Sequence, residues 1–413
     1  MTPVTVSERL SGNFATTFRA LRHRDFRIFL TGYVISLIGT WMQSLAQAWL
    51  VYRLTRSGTM LGLTMFAQHI PVLLLGPIAG VVADRYPRYR ILVIANALFL
   101  VQAIALALLT LTGVVAYPHV VALAAMWGVI NAFEIPARQS LYVHMVGRDD
   151  LLNAIALNSV VFNAGRVVGP SIAGILVAAF GEGPCFLLNS ATFVVVLISL
   201  SMVHVRHQPP PPAHSALSHL ADGFRYMWNH RPLRSLLSLT SMVNISGAPA
   251  LVLAPLFADA IFQRGARGLG FLSGTMGAGA ILGTLALARR TGTAGLPKTV
   301  VLSCLLMGAG LAIFAGSPMF AISLAGVALI GFNVMRQNAS SNTLIQSLVP
   351  DDYRGRAMAM YSMTVVGMLP VGSLAAGALS DMVGPRLAVF SGALLCTTAA
   401  LVFRRRILSI EAT

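Results

Sequence analysis

The chain is poor in charge and poorest in acids. Charged residues make up 10% of its 413 residues, only 13 are Asp or Glu, and Lys298 is the single lysine. A soluble domain of this length carries roughly a quarter charged residues, so an ordinary globular fold is excluded. Cysteine is equally scarce. Cys185, Cys304 and Cys396 stand in apolar runs without paired spacing, which argues against a disulfide framework or a thiolate metal site and leaves them as small packing residues. A phosphate-cradling loop is missing, because the one lysine lies in GTAGLPKT with proline where the loop needs glycine; ATP hydrolysis is therefore not expected. Of nine histidines only His69 falls well inside an apolar run, and a lone histidine there reads as a packing residue. Without a cluster of acids or histidines for acid/base or metal chemistry, neither an enzyme, a cofactor nor a bound metal is expected. The N-terminal stretch MTPVTVSERLSGNFATTFRALRHRDFRIF also lacks a short apolar core ahead of a small-residue cleavage site, so it is expected to stay attached.

Hydrophobicity is what the chain has in excess, at 56% of residues and a mean hydropathy of +0.76. A bilayer core of about 30 Å needs roughly 20 apolar residues per crossing helix, and twelve runs qualify. They are Phe26–Leu50, Leu61–Ala83, Ile91–Gly113, Val120–Ala137, Ala154–Ala179, Cys185–Val205, Leu236–Phe262, Leu269–Ala288, Thr299–Ala315, Met319–Arg336, Ala357–Ser380 and Leu387–Phe403. The expected fold is all-α and integral to the membrane, with twelve transmembrane helices and both termini cytoplasmic. With that orientation Arg53, Arg56, Arg264, Arg267 and Arg386 lie outside, Arg166 and Arg336 lie in spans, and every other basic residue lies inside. The formal charge of +16 is then the positive-inside bias of a membrane protein, and a nucleic-acid partner is not expected.

One long polar segment, VRHQPPPPAHSALSHLADGFRYMWNHRPLRS, divides the chain into a first bundle at 1–205, a linker at 206–234 and a second bundle at 235–413. In the linker Leu217, Leu220, Phe224, Met227 and Trp228 follow helical spacing, which predicts an amphipathic helix on the cytoplasmic face or a helical tether. Sliding the chain along itself by 203 positions pairs Asp149 with Asp352, Gly169 with Gly372, Gly174 with Gly377 and Gly181 with Gly384, among others. Two parallel six-helix repeats are the plan of a secondary transporter that rocks about a site at the membrane midplane.

Three stretches carry a resemblance to the major facilitator superfamily, in particular its drug- and siderophore-exporter branch. GVVADRYPRYR resembles the family's motif A, with Gly80, Asp84, Arg85 and Arg88 in place and Pro87 where glycine is usual. GRVVGPSIAG resembles motif C of proton-linked exporters, with Gly165, Gly169, Pro170 and Gly174 in place and Ala173 replacing the first glycine of the final pair. The phrases around LTGYVISLIGTWMQ and IPARQSLYVHMVGRDD are similar to the exporter branch itself. The resemblance spans essentially the whole chain. It implies a proton-driven exporter of drug-like compounds or siderophore-type metabolites in the bacterial cytoplasmic membrane, with the proton gradient as energy source. Small-molecule substrate, protons and lipid are its expected partners, and it is expected to act as a monomer. A facilitator-type importer and a non-transporting sensor or scaffold remain as alternatives.

Residue by residue, Asp84 ends a helix and suits the free N–H groups at another helix's N-terminus; the resemblance implies that this is the eleventh span, near Ala357. Gly165 and Gly169, four apart, permit backbone contact between helices, and Pro170 adds a kink. Arg166 falls near the midplane, where a charge must be compensated or hydrated. Glu134 and Asp259 are the acids well inside spans. Glu134, one turn before Arg138, is the candidate coupling residue, alternating between a proton and a partner among Arg138, Arg166 and Arg336. Gln43, Gln47, Asn131 and Asn333 are candidates to line the pathway, with Gln68, Gln102, Asn189, Asn244 and Asn338 as further neutral polar groups. The scarcity of acids beside these arginines favours an anionic, catecholate-like cargo over a strongly cationic one.

Overall fold

In a computed structural model the described residues are 18–204, 225–288, 290 and 292–412. Among them twelve helices are long and apolar enough to cross a membrane. They are α1 (Arg24–Thr55), α2 (Gly58–Arg85), α3 (Arg88–Leu111), α4 (Tyr117–Val146), α5 (Leu151–Phe180) and α6 (Gly183–Ser201) in the first half. The second half holds α7 (Arg231–Val252), α8 (Gly265–Ala288), α9 (Leu296–Gly316), α10 (Phe320–Leu348), α11 (Asp351–Val383) and α12 (Pro385–Leu408). Twelve crossings return the chain to the side on which α1 begins, here termed the near end; α1 finishes at the far end.

The repeat seen in the sequence is a repeat of packing. In the first half α1 packs on α5 and α6, α3 on α4 and α6, and α2 on α4; in the second, α7 packs on α11 and α12, α9 on α10 and α12, and α8 on α10. The halves meet along two seams, α2 with α11 and α5 with α8. Positions 203 apart do the same work. A Cβ on Gly128 would lie 2.2 Å from the Gln68 carbonyl oxygen, and one on Gly331 would lie 2.0 Å from that of Met276, so helix touches helix through backbone at both sites. Gly181 and Gly384, with φ of 80° and 90°, make the left-handed turns that end α5 and α11, a conformation open to glycine at little cost. Large apolar side chains such as Leu74, Ile175 and Leu394 face outward, as a lipid-facing surface requires.

Helix ends depart furthest from the apolar runs in three places. α4 continues past Ala137 to Val146 and α10 past Arg336 to Leu348; polar residues end the hydropathy signal there, but pairs four apart, Glu134 with Arg138 and Gln337 with Ser341, keep the backbone helical. The seventh span is broken at Leu253, four residues after Pro249, and resumes through Ala254–Leu256 into a π-turn at Phe257–Ile261. Of the linker's apolar residues, Leu217, Leu220 and Phe224 lie outside the described residues. Residues 225–229 are helical, with Met227 buried and Tyr226 stacked on Tyr353 at 4.3 Å, so this end of the linker docks on the second half.

At the near end a short 3-10 turn, Arg19–Arg22, is tied to the α4–α5 connection. His23 Nε2 contacts Asp150 at 2.8 Å, Arg19 pairs with the same carboxylate, and Ala20 N donates to Asn153 Oδ1 at 2.9 Å. The hydrogen bonds from His23 and Arg19 hold the Asp150 carboxyl below its usual range. A carboxyl lowered by folding stabilises above its unfolded value and loses that contribution as pH falls through the folded one. The tether is therefore expected to persist from neutrality to about pH 5, and Asp150→Asn to release it at pH 7. Hydrogen exchange of a peptide covering residues 18–30 checks this; equal protection in the variant would show that the carboxylate does not hold the turn.

Candidate functional site

The first group is built on α4. Glu134 Oε1 accepts from Arg138 Nε at 2.7 Å, one helical turn away. Arg138 Nη1 donates to the Tyr142 hydroxyl at 3.0 Å, which donates in turn to Asn158 Oδ1 of α5 at 2.8 Å. The guanidinium also lies over the Tyr33 ring of α1, 4.7 Å from its centroid. Glu134 and Arg138 have side chains only 11% exposed, so each neutralises a charge the other could not carry alone in this setting. The repeat mates are Gln337 and Ser341: Gln337 Nε2 donates to the Ser341 hydroxyl at 3.0 Å and to that of Thr240 at 3.2 Å. The same geometry is thus charged in one half and neutral in the other.

Arg166 and Arg336 have no such partner. Arg166, halfway along α5, lies 5.9 Å from the Trp41 ring centroid, and Trp41 packs edge-on against Phe162 at 5.6 Å. Arg336 lies 5.5 Å from the Phe332 ring centroid on its own helix. Among the described residues neither guanidinium meets a carboxylate; Arg166 does not pair with Glu134. The Trp41 Nε1 is buried and equally without a partner. An aromatic face offsets part of a buried cation's desolvation, and a guanidinium that no acid neutralises can still bind an anion.

The neutral candidates divide. Gln43 is buried in a bridge across three helices, donating to Gln102 Oε1 at 2.9 Å and accepting from Asn189 Nδ2 at 2.8 Å. Gln47 approaches Gln68 at 3.5 Å. Asn333 donates to its own helix at the Leu329 carbonyl, and its Oδ1, like Gln337 Oε1, is buried without a partner. Asn131 lies half-buried three residues before Glu134. His69 Nδ1 donates to the Met65 carbonyl, 3.0 Å away, as a packing histidine does. The three cysteines are free and buried.

The motif residues fall at the helix ends and seams. Gly80 faces open space, Arg85 is exposed, Arg88 contacts His144 Nε2, and the side chain of Asp84 lies outside the described residues. Pro87, where the related motif has glycine, has φ of −58°, so this turn needs no left-handed residue. Gly165 and Gly169 press on α1, a Cβ on Gly169 meeting the Ile38 carbonyl oxygen at 2.8 Å; Gly174 presses on α8, where an added Cβ would lie 2.8 Å from Gly270 Cα. Pro170 is buried within α5 without ending it, and its carbonyl oxygen would lie 3.0 Å from a Cβ on Gly270.

The far end holds polar contacts that the sequence reading missed. Asp259, aimed by the π-turn of the seventh span, accepts from the Tyr52 hydroxyl at 2.9 Å and from Arg56 Nη1 at 2.5 Å. Asp381 of α11 meets the start of α2 at Ser57, Gly58 and Thr59. Both join one half to the other. Asp381 stands just past the end of an apolar run, where sequence alone reads it as a solvated terminus, whereas Asp259 lies inside one and only its partners escaped the sequence.

The family described as transmembrane secretion effector, of the major facilitator type, matches residues 15–413. The chain belongs to this family. Members of it are transporters, and so is this chain; it is not an enzyme. Among curated relatives of this secretion-effector chain, the staphyloferrin A transporter of Staphylococcus aureus is 24% identical over 93% of this chain and 97% of its own length. The enterobactin exporter EntS of Shigella flexneri is 27% identical over 88% and 87%. The fold matches solved structures: a bacterial homologue of the iron transporter ferroportin in an inward-facing state (TM-score 0.73, 16% identity, 92% of this chain and 98% of that one) and the nucleoside transporter NupG (TM-score 0.71, 15% identity, 93% and 98%).

Proposed function

We propose that the protein exports an anionic, siderophore-type metabolite from the cytoplasm across the bacterial cytoplasmic membrane, by alternating access coupled to proton entry. The observation that carries this reading is the pair of arginines, Arg166 and Arg336, that meet no carboxylate among the described residues. A cation in a membrane interior is retained for what it binds, and guanidinium forks suit carboxylate and catecholate oxygens. Two of the relatives handle siderophores by name, which agrees with that chemistry. The bias of arginine towards the near end supports a cytoplasmic near end, and the contacts that join the halves at the far end support a state that receives cargo from inside. Glu134 is the proton-carrying candidate: protonation would free Arg138 and shift the balance between the two states. Motif A, with Asp84, Arg85 and Arg88, would close the cytoplasmic end in the opposite state.

The test is siderophore measured inside and outside iron-starved cells with and without the gene. Loss of the gene is expected to raise the internal pool and lower the external one, and Arg166→Gln to cut export about tenfold or more, as removal of one partner of a desolvated charged contact does. Unchanged pools in the deletion would remove the siderophore assignment.

A further inference from the structure

We infer that Asp381 is the latch that holds the far end of the two halves together, by capping the first turn of a helix in the opposite half. A helix starts with four main-chain N–H groups that it cannot satisfy itself. In α2, Ser57 N donates to Thr55 Oγ1 at 3.4 Å and Met60 N to the Ser57 hydroxyl at 3.2 Å. The two donors between them, Gly58 N and Thr59 N, reach across the seam to the Asp381 carboxylate at 2.7 and 2.9 Å. The Ser57 hydroxyl donates to the same carboxylate at 2.5 Å. Half of the orphan donors of α2 are thus satisfied from the other half of the protein, by a negative charge at the positive end of the helix dipole.

Packing makes the reach possible. A Cβ on Gly377 would lie 2.3 Å from the Gly58 carbonyl oxygen, and one on Gly62 2.4 Å from that of Ser373; only glycine lets α2 and α11 approach so closely. All three hydrogen bonds converge on one side chain, so opening the far end breaks them together. The α2–α11 pair runs antiparallel, as the contacts of Gly58 with Ser380 and of Gly367 with Leu73 require. Asp84 stands one residue from the end of α2 as Asp381 stands two from the end of α11, and α11 starts on Pro350 with no side-chain cap of its own. Each helix of the seam therefore carries an aspartate in its last turn, one at each membrane face. This pairing rests on the alternating-access reading above.

Spin labels at Val114 and Met319, exposed in the α3–α4 and α9–α10 connections at the far end, report the separation of the halves in lipid, in a background with the three buried cysteines replaced by alanine. Asp381→Ala is expected to shift the closed-to-open ratio about tenfold towards open, Asp381→Glu less, and Asp84→Asn in the opposite direction. Ser57→Ala removes one bond of the three and is expected to give a smaller shift of the same sign, which keeps the latch testable should Asp381→Ala fold poorly. An unchanged ratio in folded Asp381→Ala or Ser57→Ala overturns the latch, and a far end that opens with Asp84→Asn overturns the pairing. A wild-type protein found only closed, yet opened by Asp381→Ala, supports the latch while counting against spontaneous alternation, so the two failures are distinguishable.

Discussion

Glu134→Ala is expected to lower the stability of the folded protein by about 3–5 kcal/mol, the cost of leaving one member of a buried ion pair without the other. The stranded group is Arg138, whose remaining contacts are the Tyr142 hydroxyl and the face of Tyr33. Neither carries a charge to balance it. The double variant Glu134→Gln/Arg138→Ser writes the other repeat's solution, Gln337 with Ser341, into the first half. Exchanging a buried pair for neutral groups of matched geometry is often close to neutral, so the double variant is expected to return to within about 1 kcal/mol of the parent. Chemical unfolding in detergent measures both. Equal losses in the single and double variants would mean that the site is held by packing rather than by charge balance. The double variant also separates roles: if Glu134 carries the proton, a stable Glu134→Gln/Arg138→Ser protein no longer responds to a proton gradient.

A side chain at Gly331 is expected to be as damaging. The added Cβ would sit 2.0 Å from the Met276 carbonyl oxygen, and that oxygen belongs to a helix backbone that cannot turn aside. Overpacking of this kind costs about 1–3 kcal/mol and sometimes more; Gly331→Val should lie at or above the upper figure, with Gly128→Val close behind it against Gln68. Gly76, which meets nothing within 4 Å, is the control. Gly76→Ala removes a poor helix former and is expected to leave stability unchanged or raise it by up to about 1 kcal/mol. Thermal unfolding of the purified protein, read alongside the yield of monodisperse material, distinguishes the two. A neutral Gly331→Val would mean that α8 and α10 can part without loss, contrary to their backbone contact.

The twelve spans were legible because hydropathy is a sum over many residues and survives local exceptions. Span ends were not: α4 and α10 leave the apolar core through Glu134–Arg138 and Gln337–Ser341, pairs that look like termini in a hydropathy window and act as helix continuations. The repeat was legible from spaced glycines such as Gly169 and Gly372. What each glycine touches was not, since Gly169 and Gly372 press on helices of their own half while Gly174 and Gly377 press across to the other. At the candidate site the sequence singled out Glu134, Arg138, Arg166 and Arg336, because charge in an apolar run stands out against its background. It could not tell that Arg138 is already engaged and that Arg166 is not, a matter of side-chain direction. Gln43 was singled out by polarity alone, which does not separate a group facing a pathway from one bridging Gln102 and Asn189. Asp381 and Tyr52 gave no signal, because their partners lie more than 200 positions away.

The two seams have a kinetic consequence. Most helix pairs interlock through ridges of side chains seated in grooves, and moving one past the other means lifting each ridge out. Along α5 and α8 the facing surfaces are Gly174 against Gly270 and Ser171 against Gly274; along α2 and α11 they are Gly58 and Gly62 against Gly377 and Ser373. If the halves alternate as proposed above, surfaces this smooth offer little to unseat and would act as bearings of low friction. The barrier to turnover would then reside in the polar contacts at the ends of the stroke, where single substitutions would tune cycling speed without disturbing the axis on which the halves turn.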